Sequence, residues 1–520
     1  MPSLPVGAAA QPHRAEFRTT GIEVVEATIA ELHAAIREGR LSARQLVEAY
    51  LARIEAYDRN GPALNSILLV NPEALSEADA LDDHYRRTGR FVGPLHGIPI
   101  IVKDNYDTRG LQTTAGSLSL LGSVPAEDAF QVRRLREAGA IILAKSNMAE
   151  FAFSPYETVG SVVPGPTRNP YAPDRTTAGS SGGTAAAVAA SFGAVGLGTD
   201  TGNSIRGPAA HTALVGIRPT MGLTSRAGVV PLYRDRDVGG PMARTVEDAV
   251  RVLDVIAGPD PADPVTLESR ERIPARGYLA HLRRDGLVAK RIGALRSFAD
   301  PESMEPEVLE RFEAALADLR RAGAILVDPV EIPEYDEIAR GPLWYPRFRW
   351  DIDAYLAGLG SASPVPDLEA IVASGKYLPD IEDQLRAFLA VDGPPDGDDA
   401  WRAVVENAER LRQAVRRTLF ELELDAIVYP TWTHPPRRIG DLESPQGNNS
   451  PLLAPPTGFP AVTVPMGWVR GDSLPVGLQI LGDAWSEATL IEIAFAYEQA
   501  TGHRRPPPMT PPLVERPTSR

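Results

Sequence analysis

The sequence predicts an α/β fold in which one large twisted mixed sheet is sandwiched by helices, and three observations carry that prediction. Residues 95–102 and 140–144 are nearly continuous apolar runs, as required of strands buried on both faces. Between them, residues 126–138 show helical spacing, with Phe130, Val132 and Leu135 turned inward and Gly139 as the stop, so the three segments form a βαβ step. Short apolar segments at 424–429, 461–464 and 477–481 bring the strand signal back near the end and are expected to complete the same sheet.

Taken in order, residues 1–24 are irregular. Residues 28–57 then read as two amphipathic helices, with Leu32, Ile36, Leu41, Leu46, Tyr50 and Ile54 on recurring faces and Ser42 as an N-cap. An alanine-rich helix over 185–190 follows a glycine-rich loop. The joint at 319–327 echoes that at 135–143, but nothing between them is shared, so it reads as common helix-to-strand punctuation and not as a repeat. From about 330 to 420 the pattern weakens: Trp344, Tyr345, Phe348, Trp350 and Tyr355 cluster, and Pro394-Pro395-Asp396-Gly397 breaks the chain. This segment reads as a helical insert bordering the core. A helix over 487–500 precedes a proline-rich tail, 506–520. The expected organisation is one domain over 25–505, with its core at about 90–260 and 420–505.

Composition narrows the function. Of 520 residues, 43% are hydrophobic and 23% charged, as in a folded globular protein. Zero cysteines exclude disulfides, thiolate metal sites and a cysteine nucleophile. With 53 basic against 68 acidic residues the chain carries −15, which argues against a nucleic-acid partner. No basic-then-apolar leader is visible in residues 1–20, and the small-sided stretch 184–199 is too short for a membrane span, so the expectation is a cytoplasmic protein with no membrane partner. The eight histidines show no metal-ligand spacing, and His211 is read as a core or surface residue.

The densest small-residue region is Thr177-Ala178-Gly179-Ser180-Ser181-Gly182-Gly183-Thr184. It lacks the Gly-Lys-Ser/Thr ending of a phosphate loop. It formally satisfies Gly-x-Ser-x-Gly, but a nucleophile elbow needs a strand immediately upstream, and residues 169–177 are broken by proline. A wider window is more telling: Gly179-Ser-Ser-Gly-Gly183, then Val195-Gly-Leu-Gly-Thr-Asp200, then Thr201-Gly-Asn-Ser-Ile-Arg-Gly-Pro208. This run resembles the amidase signature family. Gly97-Ile-Pro-Ile-Ile-Val-Lys103-Asp104, Val215-Gly-Ile-Arg-Pro-Thr220, Gly458-Phe-Pro-Ala-Val-Thr-Val-Pro465 and Pro475-Val-Gly-Leu-Gln479 match further blocks of that family, in order, over about 25–505.

The resemblance implies a Ser–cis-Ser–Lys triad at Ser204, Ser180 and Lys103, with Ser181 supporting the bridging serine. It also implies an oxyanion hole of backbone N–H groups in Thr201, Gly202 and Asn203. The chemistry stands on its own terms: a serine hydroxyl needs a base, and a lysine serves as one only when uncharged, as burial at the end of an apolar strand would make it. Gly179, Gly182 and Gly183 are expected to give the bridging turn its freedom, and Pro208 to mark a helix start. Asp200 and Arg206 are read as an ion pair fixing the nucleophile loop. Asn203 stands where the family usually has glycine; its tolerance of positive φ should preserve the turn, and its side chain is expected near the oxyanion or the leaving group, adding a donor or narrowing the acyl pocket.

The expected function is hydrolysis of a carboxylic amide through an acyl-Ser204 ester, with no metal or organic cofactor and a small-molecule amide as partner; a homo-oligomer stays open. Glutaminase subunits of amidotransferases share the resemblance, but they usually carry Gly-Gly-Ser-Ile-Arg-Gln-Pro where this chain has Gly202-Asn-Ser-Ile-Arg-Gly-Pro208, which favours a free-standing enzyme. Carbamates, esters and anilides are alternative substrates of the same acyl chemistry. A silent binding protein is the reading from outside enzymology.

Overall fold

The protein is described by a computed structural model covering residues 23–391 and 393–513. Most of the segment expected to be irregular, 1–22, and the end of the proline-rich tail, 514–520, lie outside the described residues. Eleven strands form one sheet: β1 (Ile67–Val70), β2 (Pro99–Lys103), β3 (Ile141–Ser146), β4 (Val195–Asp200), β5 (Val215–Arg218), β6 (Val238–Ala243), β7 (Arg291–Leu295), β8 (Ile325–Val330), β9 (Ala426–Pro430), β10 (Ala461–Val469) and β11 (Leu474–Leu481). Their spatial order is β1-β3-β2-β4-β6-β5-β10-β11-β9-β7-β8. The sheet is mixed. β3, β2 and β4 run parallel, as do β9, β7 and β8, and the strands between are antiparallel.

Helices cover both faces, and β4 shows why. Val195 and Leu197 point into the main core shared with helix Val246–Ile256. Gly196 and Gly198 point the other way, where a Cβ at position 196 would stand 2.4 Å from Thr184 and one at 198 would stand 3.0 Å from Ser181 Oγ. Two glycines in a buried strand thus let the helix Gly182–Ala189 settle directly on the sheet. The late strands complete the sheet through β10, which pairs with β5 over Ala461–Thr463.

The first helices are Ile29–Arg37 and Ala43–Arg53, each opened by a capping box, at Thr28 and at Ser42. Two boundaries differ from the sequence pattern. The run 95–102 becomes strand only at Pro99, because Leu95–Ile98 make tight turns, with Ile98 N–H donating to Leu95 O and Gly97 N–H to Gly139 O. Apolar residues there report burial, not extension. The helix expected over 126–138 spans Phe130–Glu137, since Ala129 N–H is already engaged by Asp107 O. β7 has no counterpart in the sequence pattern; with helix Pro306–Arg321 and β8 it forms a second parallel crossover. Both echoing joints therefore close the same kind of unit, with Gly139 (φ +86°) and Gly323 (φ +102°) turning the helix back into the sheet.

The segment read as an insert holds the helices Tyr335–Arg340, Phe348–Leu359, Leu368–Ser374, Glu382–Leu389 and Asp399–Glu421. Phe348, Ile352, Leu368, Leu385 and Phe388 build a separate core against Phe151, Leu232 and Tyr233. The tail is tied down where it is described: Arg53 donates to the carbonyls of Thr510 and Pro511, and also to those of Ala190 and Ser191. Among the described residues no helix is long and apolar enough to cross a membrane.

At the end of β4 the Asp200 carboxylate is fully buried. Arg206 grips it through Nε and Nη2, both at 3.1 Å, and Arg218 through Nη1 at 2.9 Å. Arg206 also donates to Ser450 O and Gln479 Oε1, and Arg218 to Arg236 O. One carboxylate thereby joins β4, β5, β11 and the loops between them. Asp200→Asn should leave two buried guanidiniums without their counter-charge and cost about 3–5 kcal/mol of stability, read by urea unfolding.

Candidate active site

Lys103 ends β2 and is fully buried. Its Nζ lies 2.6 Å from Ser180 Oγ and 2.8 Å from Thr199 Oγ1. Thr199 is in turn held by Asn105 Nδ2 at 3.0 Å. Burial pushes the Lys103 amine down to about 7, and the charges of Asp200 and Asp237 only partly oppose the fall. Asp104, the neighbour that could have kept the ammonium charged, turns away to Lys145 (3.3 Å) and Thr114. Thr199 and Asn105 carry no functional signal of their own in the sequence, although Thr199 lies inside a quoted motif; their roles depend on which way β4 and the turn after β2 present their side chains.

The glycine-rich loop reaches Lys103 from the helix Gly182–Ala189. The Gly179–Ser180 peptide is cis, and Ser180 O accepts from Ala149 N–H at 3.1 Å. The loop's glycines answer a different need from the one expected. None of Gly179, Gly182 and Gly183 has positive φ; the left-handed residue is Ala178 (φ +58°). A Cβ at Gly179 would stand 2.3 Å from Ser154 O, one at Gly182 2.1 Å from Thr158 Oγ1, and one at Gly183 2.1 Å from Asn147 O. These positions are glycine for close approach. Ser181 Oγ donates to Thr199 O at 3.2 Å.

The loop Thr201–Ser204 leaves β4 beside Asp200 and enters helix Arg206–His211. Thr201 Oγ1 donates to Asp237 Oδ1 at 2.5 Å, Arg206 Nη2 to Gly202 O at 2.8 Å, and Ile205 N–H to Asp200 Oδ2 at 3.1 Å. The Asp200 carboxyl stays well below the usual carboxylate range: burial works to raise it, and Arg206 and Arg218 outweigh burial. Pro208 is the third helical residue rather than the first. Asn203 departs from expectation in its backbone. Its backbone φ is not positive, so no left-handed turn has to be preserved. Its side chain donates from Nδ2 to Gly179 O (2.8 Å) and Pro155 O (3.2 Å).

Thr201, Gly202, Asn203 and Ser204 line a cavity of about 260 Å³, walled by Phe153, Tyr156, Leu232, Trp344 and Pro451 with Gln446 and Asn448 at one side. None of its lining residues is charged. Of the aromatic cluster in the insert, Trp344 reaches the cavity, whereas Phe348 packs in the insert core and Tyr355 donates to Asp107. His211 is buried against Trp432. Lys103 and Ser180 are hydrogen-bonded; among the described residues no hydrogen bond joins Ser204 Oγ to Ser180 Oγ, as is common before substrate tightens a site. Among the same residues no group of three or more His, Asp or Glu side chains could hold a metal ion.

Known proteins resemble this one along nearly the whole chain. Residues 45–491 match the family model described as Amidase. The protein called Probable amidase At4g34880, from Arabidopsis thaliana, is 36% identical over 502 residues, covering 93% of this chain and 92% of that protein. A glutamyl-tRNA(Gln) amidotransferase subunit from Streptomyces avermitilis is 34% identical over 502 residues, covering 92% of this chain and 96% of that protein. Among solved structures, the native peptide amidase of Stenotrophomonas maltophilia superposes with a TM-score of 0.82 at 40% identity, covering 93% of this chain and 98% of that one. With family model, sequence and fold in agreement, the chain belongs to the amidase signature family and is a hydrolase of carbon–nitrogen amide bonds.

Proposed function

We propose that Ser204 is the nucleophile, that Ser180 relays its proton and that Lys103 is the base. The observation that carries this reading is the buried Lys103 amine, held near neutrality at 2.6 Å from Ser180 Oγ. An uncharged amine offers a lone pair, and Thr199, already holding Asn105, accepts one of its N–H bonds and aims that lone pair at Ser180. Ser204 Oγ attacks the amide carbon as its proton passes to Ser180 and that of Ser180 passes to Lys103. The carbonyl oxygen becomes an oxyanion facing the N–H groups of Thr201, Gly202 and Asn203. Collapse returns the proton through Ser180 to the leaving nitrogen, which departs as ammonia or amine. Water then hydrolyses the acyl-Ser204 ester by the same relay, releasing the acid and restoring the three side chains. Asp200, Arg206 and Ser181 keep the two loops in place.

The cavity favours a neutral substrate. Free glutamine carries an ammonium and a carboxylate, and burying either without a partner costs several kcal/mol. No charged residue lines the cavity to pair with them, while its walls include the aromatic and aliphatic side chains of Phe153, Tyr156, Leu232 and Trp344. A free-standing amidase acting on a neutral amide, such as the blocked end of a peptide, fits these walls better than the glutaminase role suggested by the name of the Streptomyces relative.

Three outcomes test this reading. Intact-mass analysis after treatment with a fluorophosphonate should show a single adduct on the parent protein, none on Ser204→Ala and slow labelling of Lys103→Ala; an adduct that persists in Ser204→Ala overturns the assignment. The base must be unprotonated, so kcat/KM should rise with pH through a midpoint near 7 and fall about tenfold per unit well below it, read from initial rates between about pH 5 and 9. In a substrate panel, N-blocked phenylalaninamide should be turned over at least about 100-fold better, by kcat/KM, than free glutamine; the reverse order would restore the glutaminase reading.

A further inference from the structure

The loop bearing Ser180 and the loop bearing Ser204 come from opposite ends of a helix and strand, so their register must be set by something that touches both. Asn203 does. Its Nδ2 donates to Gly179 O, the carbonyl of the peptide unit whose nitrogen belongs to Ser180, and to Pro155 O. Pro155 O also accepts from Gly179 N–H at 2.9 Å, and Ser180 O accepts from Ala149 N–H. The peptide plane ahead of Ser180 is therefore held from the nucleophile's own loop, one residue before Ser204.

The other atom of the amide shows what the residue is used for. Asn203 Oδ1 is buried without a hydrogen-bond partner, a cost that a glycine here would avoid. The amide group fits only because residue 207, one helical turn on, is glycine. A Cβ there would stand 2.1 Å from Asn203 Oδ1 and 2.4 Å from Nδ2. The side chain is thus wedged between Gly207 and the Gly179 carbonyl, with only its NH₂ group in use.

We propose that Asn203 is a positioning residue that sets Ser180 relative to Ser204, and that Gly207 supplies the space it needs. The inference rests on the triad reading above. It assigns the Asn203 side chain to catalytic geometry, leaving its backbone N–H to the oxyanion. A displaced relay serine slows proton transfer without altering the cavity walls, so the effect belongs in kcat and in the rate of Ser204 modification, with little in KM.

The test combines Asn203→Ala, Asn203→Asp, Gly207→Ala and the double variant Asn203→Ala/Gly207→Ala, each measured for kcat, KM, fluorophosphonate labelling rate and thermal midpoint beside Ser204→Ala. Asn203→Ala should lose about 10- to 100-fold in kcat and in labelling rate with KM within about twofold. Asn203→Asp keeps the shape but turns an oxygen toward two carbonyls, and should lose at least as much. Gly207→Ala should be impaired alone, yet add nothing to Asn203→Ala, because the shortened side chain makes room for the methyl group. Unchanged kcat and labelling in both Asn203 variants would overturn the proposal while Ser204→Ala stays inert. So would a Gly207→Ala loss that persists in full in the double variant, since that loss would then come from helix packing. Should Ser204→Ala itself remain active, the triad reading fails, whatever the Asn203 variants do.

Discussion

The loop that carries the proposed nucleophile is anchored at one buried carboxylate, that of Asp200. A lone carboxylate buried at the end of a central strand would be pushed to protonate. Here Arg206 and Arg218 grip it from two sides. The carboxylate therefore stays ionised and serves as an anchor for both guanidiniums, and Arg206 extends the hold to the nucleophile loop through Gly202 O and to the C-terminal segments through Gln479 and Ser450. Burial depresses the Lys103 amine even against the opposing charge of Asp200.

Much of the fold is legible in the chain itself. The continuous apolar runs mark the central strands because a strand covered on both faces has no polar alternation to show, and Thr28 and Ser42 signal their helices by local chemistry. β7 is not legible: Arg291-Ile-Gly-Ala-Leu295 is short, opens on a charged residue and carries a glycine, and only its neighbours β8 and β9 make it a strand. The glycines of the serine loop stand out in the sequence, but for a reason other than the one their composition suggests. Freedom of φ can be guessed from composition, whereas the approach of Ser154 O, Thr158 Oγ1 and Asn147 O depends on segments distant in the chain.

The site divides along the same line. Lys103, Ser180 and Ser204 stand in motifs, so resemblance can point at them. Thr199, Asn105 and Arg218 act through orientation, which no motif spells out. Asn203 is the sharpest case: the sequence shows a departure, and its expected consequence is a left-handed turn beside the oxyanion. The side chain instead reaches backward to Gly179 O, a contact that exists only because two loops meet over Gly207.

The seam between β5 and β10 has a consequence for how the chain comes together. β1 to β6 occupy one side of the sheet and β7 to β11 the other, and the two groups meet at only three residue pairs, Ala461–Arg218, Val462–Ile217 and Thr463–Gly216. Some 240 residues separate the partners in sequence, so closing this seam costs the entropy of a long loop. Until it closes, β5 offers an unpaired apolar edge, an invitation to intermolecular pairing.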